Sequence, residues 1–379
     1  MRSKLPNVGT TIFTVMSTMA QDHGAINLSQ GFPDFDCPAR LRELVAQYLD
    51  DKKNQYPPMT GIPSLRAAIA QKVLDLYGCS ADMDQEVTVT SGATEAIFDA
   101  IQASVSAGEE VIVFDPAYDC YDPAVTLAGG RTIHIPLSLP KFTIDWDRVK
   151  AAISARTRMI IINTPHNPSG AIMSKEDLNI LAQITRDTEI LILSDEVYEH
   201  MVFDGQQHES VLRHEELRQR SFAIFSFGKT YHATGWKLAY CVAPPSMTAE
   251  FRKVHQFVTF TSTSFIQYAV ADFMQECPQH AAELSLFYQE KRDTFNHLLG
   301  ESRLQFSPSH GTYFQLVDYS EISSLPDFEF ASYLTKEKGV AAIPLSPFYK
   351  EAPNNTLIRF CFCKDDATLH AAAKILCTL

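Results

Sequence analysis

Nowhere in the 379 residues does an apolar run approach the roughly 18 residues that a membrane-spanning helix needs. The opening residues, Met1 to Pro6, lead into no apolar stretch of the kind a secretory signal carries. A soluble chain without an export signal is the expectation. Basic runs are missing as well. With 32 Lys and Arg against 45 Asp and Glu the net charge is −13, so neither nucleic acid nor an anionic membrane is an expected partner. Cysteine is scattered, at positions 37, 79, 120, 241, 277, 361, 363 and 377. Only Cys361 and Cys363 are close, and alternate residues of a strand point to opposite faces, so the pair reads as two core thiols rather than a redox or metal site. A reduced, cytoplasmic setting fits, and no metal is expected.

One absent glycine also matters. Gly228-Lys229-Thr230 has the ending of a phosphate-binding P-loop, which needs another glycine five residues earlier so that the backbone can wrap the phosphates. Position 223 is Ala, inside the run Phe222-Ala223-Ile224-Phe225, which reads as a buried strand. The nucleotide-hydrolase reading is rejected on that ground. Internal repeats, low-complexity segments and the basic helix-turn-helix of a DNA-binding regulator are missing too.

What is present is an ordinary globular composition, 45% hydrophobic and 20% charged, in a chain long enough for two domains. After a possible helix over 12–20, a short strand at 26–29 enters the Gly/Pro turn Gln30-Gly31-Phe32-Pro33. Helices over 39–50 and 63–77 flank the proline-held loop Asn54-Gln55-Tyr56-Pro57-Pro58-Met59-Thr60-Gly61. An alternation follows: strand 87–90, helix from Ser91-Gly92-Ala93-Thr94 to about 107, strands 111–114 and 131–135, helix 145–153, strand 159–163, helix 175–186, strand 190–193. Short apolar strands separated by amphipathic helices predict a mostly parallel sheet covered on both faces. Strands 222–225 and 238–242 are joined by about a dozen residues with no readable helix, so they should pair antiparallel. Three helices, 248–258, 265–275 and 281–299, lead to a smaller α+β part with strands at 312–317, 340–343 and 357–362, a helix over 328–338 and a closing helix from 365. The expectation is an α/β fold with seven strands in the main sheet. Its large domain would be 38–285, and 1–37 would join 286–379 in the small one.

The chemistry begins at Ser226-Phe227-Gly228-Lys229-Thr230, where one lysine stands among small and apolar residues. Apolar surroundings lower a lysine pKa, and the neutral amine can attack a carbonyl. Most lysines are solvated surface charges, so the weight lies in its company. In a parallel sheet the ligand sits beyond the carboxyl ends of the strands, and Asn167, Asp195, Lys229 and Ser91-Gly92-Ala93-Thr94 all follow predicted strands. A helix N-terminus with small residues binds phosphate. Phosphate, lysine amine and strand-end carboxylate together suggest pyridoxal 5'-phosphate, with Lys229 forming a Schiff base and Asp195 pairing with the ring nitrogen. Tyr198 and Asn167 can hydrogen-bond the ring oxygen, Tyr118 can stack on the ring, and Ser226 and Lys237 can complete the phosphate cup around Gly92, Ala93 and Thr94. Taken singly, Asn167 is a turn residue before proline, Tyr118 a core aromatic and Lys237 a surface charge; the ordered set outweighs those readings.

With these motifs the chain resembles the fold-type I, class I pyridoxal-phosphate aminotransferases, and within them the branch of methionine and kynurenine/glutamine aminotransferases. The likeness rests on Asn27-Leu28-Ser29-Gln30-Gly31-Phe32-Pro33-Asp34, Asn54-Gln55-Tyr56, Asn163-Thr164-Pro165-His166-Asn167-Pro168, Ser194-Asp195-Glu196-Val197-Tyr198, Ser226-Phe227-Gly228-Lys229-Thr230 and Leu357-Ile358-Arg359-Phe360-Cys361-Phe362. It implies catalytic roles for Lys229, Asp195 and Tyr198, and a homodimer in which Tyr56 reaches the phosphate of the neighbouring subunit. Arg359 would clasp the substrate α-carboxylate with two parallel bonds, with Gly31 and Asn167 also in contact. Lys237 stands where many class I members carry arginine, and the methionine and kynurenine branch is similar to this chain in using lysine.

For the substrates, an amino acid and a 2-oxo acid, the side chains argue against aspartate or glutamate. The stretch 257–265, which the resemblance implies as the source of a second cation, has none. Phe13, Tyr118, Tyr313, Phe314 and Phe348 offer aromatic walls that suit thioether or aromatic side chains. Methionine is favoured, with phenylalanine, tyrosine, leucine and glutamine as secondary donors. A kynurenine/glutamine aminotransferase and a cysteine-S-conjugate β-lyase are the alternatives, because a cofactor cage does not by itself fix the reaction.

Overall fold

The computed structural model describes residues 2–379. Short, nearly continuous apolar strands, spaced by amphipathic helices, build a seven-stranded sheet. Its strands, after the short β1 (Ile26–Asn27), are β2 (Val87–Thr90), β3 (Glu110–Asp115), β4 (Arg131–Pro136), β5 (Thr157–Asn163), β6 (Leu191–Asp195), β7 (Ser221–Ser226) and β8 (Ala239–Val242). The spatial order is β2-β8-β7-β6-β5-β3-β4, and β8 alone runs against its neighbours. The antiparallel pairing expected between β7 and β8 is therefore present, at Ser226 opposite Ala239.

Period-two alternation divides the strand residues between two cores. Ile112, Phe114, Ile160, Ile162, Ala223 and Phe225 meet the helices Ala39–Asp50, Pro63–Tyr77 and Ser264–Glu276. Their neighbours Val111, Val113, Met159, Ile161, Phe222 and Ile224 meet the helices Ala93–Ser104, Tyr121–Leu127 and Pro245–Val258 on the other face. Truncating one of these fully buried residues to alanine costs about 2–5 kcal/mol.

A third core joins the two ends of the chain. Met16 and Leu28 pack with Tyr288, Phe295, Phe330, Phe360 and Leu369. Here lie β9 (Phe314–Asp318), β10 (Val340–Ala341), β11 (Ile343–Pro344) and β12 (Leu357–Cys361). β12 is central in the antiparallel order β11-β12-β9, and β10 pairs in parallel with β1. Helix Gln279–Leu299 runs across positions 285 and 286 and contributes residues to this core.

The structure departs from the sequence expectation in several places. Lys229 lies in a one-turn helix, Phe227–Thr230, followed by a 3-10 turn at Thr234–Trp236, where no helix was readable. Both are too short to carry a periodic signal. Helix Tyr121–Leu127 was also unread; it spans seven residues and carries Pro123 in its first turn. The helix from Ala93 stops at Ser104 rather than near 107, because Val105 turns to extended backbone. The segment 340–343 is two strands in two different sheets. The helix expected over 328–338 continues past Tyr333 as a wider π turn, Leu334–Lys338. Cys361 ends β12, so strand alternation does not extend to Cys363, and both thiols fall in the third core. All eight cysteines are unpaired. Among the described residues no helix is long and apolar enough to cross a membrane.

Candidate active site

Strand order decides what meets at the carboxyl edge of the sheet. β5 ends at Asn163 and β6 at Asp195, paired in register. β7 ends at Ser226 with Lys229 just beyond, and β2 ends at Thr90, before Ser91 and Gly92. Because β8 runs the other way, its first residue, Ala239, sits beside both Thr90 and Ser226. Lys237, two positions before it, is thereby brought to the same edge. A cavity of ≈ 300 Å³ opens there. Its walls include Phe13, Gly31, Gly92, Ala93, Thr94, Tyr118, Asn167, Asp195, Tyr198, Ser226, Lys229, Lys237 and Arg359.

Lys229 Nζ donates to the Tyr313 hydroxyl at 2.9 Å and to the Gly31 carbonyl at 3.3 Å, and lies 5.5 Å from the centres of the Tyr198 and Tyr313 rings. Burial draws its pKa down to about 8 from the ordinary 10.5, and the charges of Arg359 and Lys237 act in the same direction, against the thiols of Cys363 and Cys361. A useful fraction of this amine is therefore uncharged near neutral pH. Asp195 is buried and raised to about 6 by desolvation, against the hydrogen bonds and the Lys229 charge that hold it down. Its Oδ2 accepts from the Tyr121 hydroxyl at 2.6 Å and its Oδ1 from the Val197 amide at 3.4 Å. Asn163 ties the two strand ends together: its Nδ2 donates to the Asp195 carbonyl at 2.9 Å and its Oδ1 accepts from the Asn167 amide at 2.8 Å.

The N-terminus of helix Ala93–Ser104 has no side-chain cap, and Gly92 sits before it at φ 89°, in the left-handed region that glycine tolerates. A Cβ at Gly92 would lie 3.0 Å from Lys237 Nζ, so the lysine amine folds over this residue. Behind the helix start, Glu95 accepts from the Ser91 amide at 2.6 Å and from His255 Nδ1 at 2.6 Å, while His255 Nε2 donates to the Met59 carbonyl at 3.0 Å. One histidine thus joins the expected phosphate cup to the loop that carries Tyr56. Burial opposes protonation of His255, but the neighbouring carboxylates of Asp99, at 3.5 Å, and Glu95, hydrogen-bonded to it, outweigh it and raise the ring to about 9.

Across the cavity, Arg359 on β12 is fully buried. Its Nη1 donates to Asn167 Oδ1 at 2.6 Å and its Nη2 to the Ser29 carbonyl at 3.0 Å, and its guanidinium lies 3.8 Å over the Phe314 ring. Nε has no partner. A buried cation with an unused donor calls for an anion. Gly31 packs directly on the Phe314 ring, since a Cβ on the glycine would press to 2.8 Å on it.

Three expected site residues stand off the cavity wall. Tyr56 is 85% exposed and edge-on to Phe260. Phe348 lines an adjoining cavity, 5.6 Å from the Phe13 ring centre. Tyr313 approaches Lys229 from behind with its hydroxyl. Sequence reasoning missed Tyr121, Glu95 and His255 in these roles. Tyr121 starts a helix that Tyr118 precedes, so no periodic spacing marks it.

Residues 23–376 match the family model for aminotransferase class I and II. The chain belongs to this family. It is 53% identical to the methionine aminotransferase of Escherichia coli strain K12, over 99% of this chain and 97% of that one. The solved structure of YbdL from Escherichia coli, reported to have a methionine aminotransferase function, matches with a TM-score of 0.98 at 53% identity, covering 100% of this chain and 99% of that one. Mouse kynurenine–oxoglutarate transaminase 1 is 33% identical over 99% of this chain and 96% of its own length. The aminotransferase is a pyridoxal 5'-phosphate enzyme, and the donor set fits that cofactor: an uncapped helix start with a lysine amine over it for the phosphate, a lowered-pKa amine for the aldehyde, and a buried carboxylate between strands for the ring nitrogen.

Proposed function

We propose that this aminotransferase takes the amino group of methionine, with phenylalanine, tyrosine, leucine and glutamine as secondary donors, and passes it to a 2-oxo acid in ping-pong order. The observation that carries the reading is the buried Arg359 with its unused Nε, its guanidinium 5.4 Å from the Phe13 ring centre and 5.8 Å from that of Phe348. Around Phe13 lie Tyr118 at 6.4 Å and Phe348 at 5.6 Å between ring centres. Arg359 is the one arginine that this chain places on the cavity wall. The 53% identity to a methionine aminotransferase supports the same donor.

The residues would divide the work as follows. Gly92, Ala93, Thr94, Ser226 and Lys237, joined by Tyr56 of a second subunit, hold the cofactor's phosphate. Tyr118 covers the ring, and Asn167 and Tyr198 hold its oxygen. Asp195, as an anion, keeps the ring nitrogen protonated. The cofactor supplies an aldehyde that bonds an amine and a ring that takes up electrons from the adjacent carbon. Arg359, Gly31 and Asn167 orient the substrate carboxylate. Lys229 would take the proton from the substrate Cα as base and, as acid, deliver it to the carbon that the cofactor's aldehyde supplies. The active form is a homodimer: Tyr56, Phe257 and Val258 are 85%, 84% and 48% exposed, an apolar surface that a second copy would cover. The chain divides into a large domain, 38–285, which carries Lys229, and a small one, 1–37 with 286–379, which carries Arg359. Unpaired cysteines support a reducing, cytoplasmic setting.

The test is a panel of amino donors with the cofactor's visible absorbance followed through the first half-reaction. Methionine should discharge the band and aspartate should leave it. Discharge by aspartate at an equal rate would overturn the assignment. Release of ammonia and pyruvate from a cysteine conjugate, without added oxo acid, would favour a β-lyase, and a faster reaction with kynurenine would favour the transaminase to which this chain is 33% identical.

A further inference from the structure

Tyr313 was expected as an aromatic wall for the substrate, yet its hydroxyl is turned toward Lys229. The phenol donates its hydrogen to the Gly31 carbonyl at 2.6 Å, so its oxygen is left with only lone pairs to offer. Lys229 Nζ donates to that oxygen at 2.9 Å and to the same Gly31 carbonyl at 3.3 Å. Two of the four tetrahedral positions of the nitrogen are thereby committed, and Cε takes a third. One position remains. It is a lone pair when the amine is neutral and an N–H when it is charged, and Lys229 stands on the cavity wall.

The phenol is itself held rigidly. It is 1% exposed, and its ring sits among Tyr198, Phe314 and Tyr288 at 5.2, 4.8 and 5.6 Å between centres. A long flexible lysine side chain carries on the order of 2 kcal/mol of rotamer entropy. A fixed pair of acceptors removes much of the search its amine would otherwise make.

We propose that Tyr313, together with the Gly31 carbonyl, is a positioning residue that docks the free Lys229 amine and aims its remaining position at the substrate Cα. The inference deepens the function proposed above and rests on Lys229 being the proton carrier. In the step concerned the Cα–H bond breaks, an N–H bond forms at Lys229 Nζ, and the electron pair passes to the cofactor. The same nitrogen would then give that proton to the carbon supplied by the cofactor's aldehyde, where the electron pair is taken up, its other two hydrogens staying on Tyr313 and Gly31. Gly31 thus serves both sides of the cavity: its lack of a Cβ makes room for the Phe314 ring on which Arg359 lies, and its carbonyl orients the lysine.

Tyr313→Phe tests this, because it keeps the ring and its three aromatic neighbours and removes one oxygen. With methionine as donor, kcat should fall about tenfold or more, the scale of lost orientation in a proton transfer, with KM within about twofold. The kinetic isotope effect on α-deuterated methionine should rise as proton transfer becomes slower than the other steps. A second readout does not depend on turnover. The rate at which the cofactor-free protein forms a borohydride-reducible bond to added pyridoxal 5'-phosphate should also fall. An unchanged isotope effect and attachment rate, with or without a raised KM, would make Tyr313 a wall and overturn the inference. Should the unaltered protein transaminate no donor at all, the functional reading fails separately, and the attachment rate still decides the role of Tyr313.

Discussion

The Tyr121 hydroxyl donates to Asp195 Oδ2 at 2.6 Å, linking a short helix that sequence periodicity does not reveal to the end of the sheet's central strand. A hydrogen bond to a carboxylate favours its charged form, by roughly 1.5–3 kcal/mol, which offsets part of the burial that raises Asp195 to about 6. Tyr121→Phe should move the Asp195 pKa upward by about one unit or more at 1.36 kcal/mol per unit. Activity at pH 7 should then fall severalfold, and the acid limb of the kcat profile should shift to higher pH. An unmoved acid limb would separate Asp195 from that limb.

Lys229→Ala removes both the covalent anchor and the proton carrier. Cofactor should still bind, held by the phosphate cup, but no borohydride-reducible linkage should form at that position. Transamination should drop by at least about 10²–10⁴, the usual worth of a positioned acid–base group. Turnover near normal would take Lys229 out of the mechanism.

Arg359→Lys keeps the positive charge and loses the fork that makes two parallel bonds. KM for methionine should rise roughly 10- to 100-fold, in line with about 1.4 kcal/mol per tenfold, and kcat should change less. Steady-state kinetics with donor and with oxo acid check both halves. An unchanged KM contradicts the assigned role.

His255 yields a stability prediction. Its folded pKa, about 9, lies above the ordinary 6.5, so the folded state holds the proton more tightly than the unfolded one. The stabilisation is fully present below pH 6.5 and is lost as pH rises through about 9. His255→Gln should flatten the fall in thermal stability over that window. It should also loosen cofactor binding, because Glu95 would lose the partner that steadies the Ser91 amide. Thermal melts at pH 6 to pH 10 and a cofactor titration measure the two effects.

Much of this molecule is legible one residue at a time. Unbroken apolar runs such as Val111 to Phe114 mark strands with two buried faces, and Pro63–Tyr77 has the apolar spacing of a helix with proline at its start and Gly78 past its end. The strand-end positions of Asn167, Asp195 and Lys229 follow from the alternation of strands and helices, since ligands gather where parallel strands finish. Short elements escaped. Tyr121–Leu127 and Phe227–Thr230 hold too few residues for a period to show, and they exist because the surrounding sheet fixes their ends.

Chain order alone therefore determined the fold class and the family, because these depend on residue type and local period, and it put Lys229, Asp195 and Arg359 forward as the lysine, carboxylate and guanidinium of the proposed chemistry. Tertiary structure decided how they act on one another. Tyr121 meets Asp195 across 74 positions, Asn167 meets Arg359 across 192, and Lys229 meets Gly31 across 198. No local pattern encodes such contacts. They arise where the burial of three separate cores brings distant segments to one sheet edge, and that same burial sets the charge of every group the chemistry uses.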